Sequence, residues 1–165
     1  MQGISLGKIF NFNLNVFKNF FTKTFKYALG CAAFIIVASL LSIQDDFHLE
    51  NQSHATIFLT FFTAVILAPV IEEMAFRGYL YTAMFSGFKH KKERLVVNAM
   101  LFASAHVFLG LIFIGAGIPY YIFILGYFLA KLYDESHSVV PGIVLHAFNN
   151  GFVFLIGIIK VFYLK

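Results

Sequence analysis

The chain has 165 residues, room for one domain, with 60% hydrophobic and only 12% charged residues. Soluble domains carry about 45–50% apolar and about 25% charged residues, and a soluble fold of this length could not hide so much apolar surface. The net charge of +4 does not point to nucleic acid, because the basic residues flank apolar segments and act there as topology signals and anchors for anionic lipid.

In chain order, Met1–Lys26 lacks the form of a cleavable signal and reads as a cytoplasmic amphipathic arm. Phe10, Phe12, Leu14, Phe17, Phe20 and Phe21, with Lys8, Lys18 and Lys23, suit a helix lying on a membrane surface. The remainder, 27–165, reads as one helical domain. A spanning helix needs about 20 mainly apolar residues, and five segments qualify: Tyr27–Ile43, Ala55–Ile71, Leu95–Phe113, Ile114–Tyr133 and Val139–Leu164. The third and fourth are joined around Gly115, Ala116, Gly117 and Pro119, as a tight helical hairpin. The predicted fold is all-α, a polytopic transmembrane helical bundle of about five spans. Cys31 sits in an apolar run and cannot form a disulfide within the chain; a buried inert thiol is expected. The 23 Phe and 8 Tyr come with no Trp, so Tyr serves as the interfacial aromatic.

Orientation follows from Lys and Arg. With the N-terminus cytoplasmic, ten of the 12 basic residues fall inside, and Lys160 and Lys165 fall outside. The expected location is within a membrane, with the N-terminus on the cytoplasmic side.

Three polar clusters sit where lipid disfavours them, and such groups mark function by default. The first is Glu72, Glu73 and Arg77. On a helix Glu73 and Arg77 share a face four residues apart, while Glu72 points about 100° away. Alternatively, the acidic pair merely ends a helix at the interface. The second is His106, four residues after Phe102, whose ring can pack over the imidazole; the plainer alternative is a core histidine bonded to a backbone carbonyl, Ser104 or Asn98. The third is His146 with Asn150 on the same helical face and Asn149 partly sharing it, whose plainer alternative is glue between helices. At 1.5 Å per residue, His106 lies roughly 16 Å and His146 roughly 10 Å from the cytoplasmic ends of their helices, and the second helix brings its carboxylates to the same half of the membrane. All three clusters can meet in the inner leaflet.

Peptide hydrolysis needs an activated water, a proton shuttle and a donor for the oxyanion. Two carboxylates, two imidazoles and an amide can supply them. Glu72, His106 and His146 are equally a potential Zn²⁺ donor set. The soluble zinc-protease pattern His-Glu-x-x-His is absent, and neither Ser104 nor Cys31 is placed as a nucleophile.

Glu-Glu-x-x-x-Arg at 72–77, Phe-x-x-x-His at 102–106 and His-x-x-x-Asn at 146–150, in that order on separate membrane helices, resemble the CPBP family. That family holds the type II CAAX prenyl endopeptidases and the bacteriocin-processing or self-immunity proteins of bacteria. The resemblance implies an intramembrane endopeptidase acting on membrane-associated or lipidated peptides. It makes Glu72 the water-activating base with His106, His146 and Asn150 the stabilisers of the oxyanion, and Glu73, Arg77 and Phe102 their support. The family is described both as zinc-dependent and as metal-independent, so zinc stays open as a cofactor. Partners are then a peptide substrate and membrane lipid, with no nucleic acid. Two other readings compete: a catalytically silent membrane scaffold or immunity partner, and a small transporter using the polar residues as a proton path.

Overall fold

The computed structural model describes residues 22, 23, 25–30, 33, 49, 52–84, 87–113 and 119–163, and among them it is all-helical. Most of the expected arm 1–26, much of the expected span Tyr27–Ile43, and the hairpin residues 114–118 lie outside the described residues. Four long helices follow one another. The first, α1, runs His54–Tyr81 and continues through the turn Thr82–Met84. Next come α2, Lys91–Phe113, α3, Pro119–Ser136, and α4, Val140–Tyr163. The segments His54–Tyr81 and Val140–Phe162 are long and apolar enough to cross a membrane. The expected spans 95–113 and 114–133 fall on α2 and α3.

Local chemistry explains the ends. Ser53 caps α1, its Oγ accepting from the Thr56 N–H at 3.1 Å. Pro119 opens α3, where a proline costs no helical hydrogen bond. The turn into α4 places His137 in the left-handed region, φ 52°, and Ser136 ties it by donating to the Leu132 carbonyl at 2.7 Å and the Ser138 carbonyl at 3.0 Å. This turn leads directly into Val140-Pro141-Gly142, the first turn of α4.

The largest difference from the sequence reading lies in α1. The second span was expected to end at Ile71, but the helix continues through Glu72 and Glu73 to Tyr81. It does so by alternating its winding: α over His54–Phe61 and Ala68–Glu73, π over Phe62–Leu67 and Met74–Tyr81. The carboxylates do not stop it because other helices partner them. π winding inside α-helices recurs at functional sites, and two stretches of it bracket this carboxylate pair.

Packing runs through α2 and α3, which lie antiparallel: Leu95 shares a cluster with Ala130 and Tyr133, and Phe102 one with Leu125 and Leu129. Gly126 lets them close, since a β-carbon there would meet Phe102 at 3.0 Å and the Ala99 backbone at 3.4 Å. A second seam joins α1 to α4, where Val65 packs with Phe154. Along α3, Tyr27 stacks on Phe128 at 4.7 Å between ring centroids, and Lys23 pairs with Glu135 at 2.8 Å.

Candidate active site

The pair spaced four apart forms first. Arg77 Nη1 donates to Glu73 Oε1 at 2.8 Å, and both side chains are fully buried. Arg77 Nη2 donates to the Gly126 carbonyl at 3.0 Å, reaching across to α3. The guanidinium lies 4.4 Å from the centroid of Phe102 and 5.8 Å from that of Phe76. A buried charge is tolerable only when its hydrogen bonds and its partner are both supplied. Here a carboxylate, a carbonyl and two ring faces meet the guanidinium, while Arg77 Nε and Glu73 Oε2 are buried without a hydrogen-bond partner among the described residues.

Glu73 Oε1 also accepts from His146 Nδ1 at 3.2 Å. That bond fixes the α4 imidazole, turning its Nε2 toward Glu72, whose Oε2 is 3.8 Å away. His106 Nε2 approaches the same Glu72 oxygen at 3.3 Å. His106 Nδ1 faces the Phe102 carbonyl at 2.9 Å, and a carbonyl only accepts, so the hydrogen sits on Nδ1. Phe102 holds both rings, with centroids 4.3 Å from His106 and 5.6 Å from His146. Glu72 and His106 keep 28% and 27% of their side-chain surface exposed, whereas His146 keeps 3% and Glu73 none. The cluster is therefore open to its surroundings at Glu72 and His106.

The structure thus gathers Glu72, Glu73, Arg77, Phe102, His106 and His146. Both plainer alternatives for the single clusters are partly true: His106 does bond a backbone carbonyl, and His146 does join helices, but each also meets a carboxylate. Asn150 is directed elsewhere, to the Ala64 carbonyl two turns before Glu72, at 2.9 Å. Asn149 donates to Asn150 Oδ1 at 3.2 Å.

Two supporting residues lie outside the sequence motifs. Asn98, fully buried, donates to the Phe76 carbonyl at 2.9 Å and so ties α2 to the second π stretch. Its position one turn before Phe102 was the available signal. Gly142 lies against Glu73: a β-carbon there would fall 2.6 Å from Oε2. A glycine straight after proline in a helix's first turn was a signal of close approach.

As for zinc, no group of three or more His, Cys, Asp or Glu among the described residues is arranged to hold a metal ion. The Nε2 atoms of the two imidazoles approach one Glu72 oxygen, an arrangement suited to proton exchange.

Among the described residues, an all-helical architecture with two candidate membrane spans and a carboxylate–imidazole cluster where helices meet defines a class: helical membrane proteins with a polar site between their helices. The particular family follows from the family model for type II CAAX prenyl endopeptidase Rce1-like proteins, which matches residues 54–152, more than half of the chain. The chain belongs to that family, as its three motifs indicated. No curated protein and no solved structure matches it.

Proposed function

We propose that the chain is an intramembrane endopeptidase in which Glu72 takes a proton from water for attack on a peptide carbonyl. One observation carries the reading: the partly exposed Glu72 carboxylate has imidazole nitrogens of two other helices at 3.3 and 3.8 Å from one oxygen. Because His106 keeps a hydrogen on Nδ1, its Nε2 can share the proton that Glu72 removes. As water attacks, that proton passes through the pair to the leaving amine. His146, held by Glu73 through Nδ1, is oriented as a carboxylate orients the histidine of a hydrolase triad. Protonated, it can donate from Nε2 to the tetrahedral oxygen. Arg77 and Phe102 hold Glu73 and both rings in place.

The proposed setting is a bundle of about five spans in a bacterial cell membrane, N-terminus cytoplasmic, with the site in the inner-leaflet half. Its support is the placement of ten of the 12 basic residues. The proposed substrates are membrane-associated or lipidated peptides, in bacteriocin processing or self-immunity, on the strength of the family resemblance.

The test is cleavage of a labelled membrane peptide by the purified chain, with His106→Ala and with a chelator. Activity that survives the chelator and falls about 10²–10⁴-fold in His106→Ala supports a Glu72–His106 water activator. Loss with the chelator and recovery with zinc would move the chemistry to a metal. Activity that is indifferent to His106→Ala would refute the pair.

A further inference from the structure

Proline at position 69 leaves a gap in the hydrogen bonding of α1, and another helix fills it. The Ala64 carbonyl would accept from the N–H of residue 68 in an α turn, or from that of residue 69 in a π turn. Neither is available. The Ala68 N–H bonds to the Thr63 carbonyl, and Pro69 has no N–H. The Ala64 carbonyl instead accepts from Asn150 Nδ2, at 2.9 Å. The Asn150 oxygen accepts from Asn149, which is 3% exposed, so the amide is held with its nitrogen toward α1. Gly151, the next residue, brings α4 close, since a β-carbon there would touch Val65 at 3.4 Å.

We infer that Asn150 is a positioning residue, a clamp that holds the π winding of Phe62–Leu67 and thereby sets the direction in which Glu72 leaves α1. The winding matters because Glu72 follows Pro69 by less than one turn. Relaxing a π turn to α removes about one residue from the register and rotates everything after it by roughly 100°. Such a rotation would carry Glu72 away from both imidazoles. The role differs from the one the family resemblance implies for Asn150, donation to the oxyanion.

The clamp predicts a specific rescue. Alanine at position 69 brings an N–H that can reach the Ala64 carbonyl and replace the Asn150 bond. The experiment compares the full chain in lipid nanodiscs with Asn150→Ala, Pro69→Ala and the double variant. It reads backbone hydrogen exchange over 62–72, and kcat and KM for peptide cleavage. Asn150→Ala should speed exchange about tenfold and lower kcat about tenfold, with KM changed by less than about twofold. Adding Pro69→Ala should return both to within about threefold of wild type. If Asn150→Ala fails to accumulate, the double variant should restore accumulation, and failure to restore it counts against the clamp. Exchange that Asn150→Ala leaves unchanged overturns the inference, as does a kcat loss that persists undiminished in the double variant. The kinetic arm rests on the proposed peptidase reading, but the exchange arm does not. An inactive wild-type chain would sink that reading and leave the clamp to be judged by exchange alone.

Discussion

Glu73 and Asp134 each sit at the centre of a polar cluster that ties α1 to neighbouring helices, and the two clusters are built in opposite ways. Asp134, near the end of α3, accepts from the Tyr81 hydroxyl at 2.6 Å and pairs with Lys91 at 2.5 Å and Arg94 at 3.7 Å. Its cations are half or one-third exposed. Glu73 has one cation, Arg77, fully sealed from solvent, and the same carboxylate oxygen also accepts from an imidazole. Exposed pairs contribute about 0–1 kcal/mol, whereas removing one partner of a buried pair costs about 3–5 kcal/mol. The first cluster fastens helix ends. The second stakes the fold on one carboxylate so that its neighbour, Glu72, can face two imidazoles.

The largest effect expected is at Arg77. Arg77→Ala strands the Glu73 carboxylate and removes the bond to the Gly126 carbonyl, and should cost about 3–5 kcal/mol in thermal unfolding in detergent. Combined with Glu73→Gln, the loss should be smaller than the sum of the single losses; additivity would show that the two are not coupled. Gly142→Ala comes next. It pushes Glu73 off its place against α4, so stability should fall by about 1–3 kcal/mol and activity should fall with it. A neutral Gly142→Ala would mean that Glu73 can move without consequence. Asn98→Ala should cost about 1 kcal/mol, one buried hydrogen bond, read from the same unfolding curves.

The smallest effect is expected at the cluster whose cations reach solvent, where Asp134→Asn should shift stability by under about 1 kcal/mol. Burial alone would raise the affinity of Asp134 for a proton. The hydrogen bonds from Lys91 and Tyr81 and the charges of Lys91 and Arg94 outweigh burial and hold its carboxyl below the ordinary 3.8. A carboxylate with a lowered folded-state value stabilises the fold above its unfolded value, and that contribution is lost as pH falls through the lowered one. Wild type should therefore lose stability below about pH 4 relative to Asp134→Asn. Parallel acid-unfolding curves for the two chains would contradict this.

The site was more legible in the sequence than the path of the chain through it. Spacing alone paired Glu73 with Arg77 and set Glu72 on another face, because helical geometry fixes both. Phe102 beside His106 followed from the same rule. That the helix carrying Glu73 and Arg77 is continuous with the span before it was not legible, because hydropathy prices lone charged groups and cannot see His146 arriving from 73 residues away to partner Glu73, or Gly126 from 49 residues away to partner Arg77. The π winding was hidden for a related reason: Pro69 removes a donor, but which carbonyl goes unsatisfied, and that Asn150 meets it, depends on the packing of α4. Asn98 and Gly142 act across helix contacts, so the local signals they carry could not name their partners, Phe76 and Glu73.

The central claim is that two adjacent carboxylates divide the work, Glu73 holding the fold and Glu72 handling the proton. Parallel cleavage and thermal-unfolding measurements on Glu72→Gln and Glu73→Gln test it most directly. The account predicts that Glu72→Gln keeps its unfolding midpoint and loses about 10²–10⁴-fold in cleavage, because an amide keeps the shape but cannot take a proton. Glu73→Gln should lose the midpoint first, with the smaller direct loss in chemistry. A fully active Glu72→Gln, or two variants that fail in the same way, would contradict it.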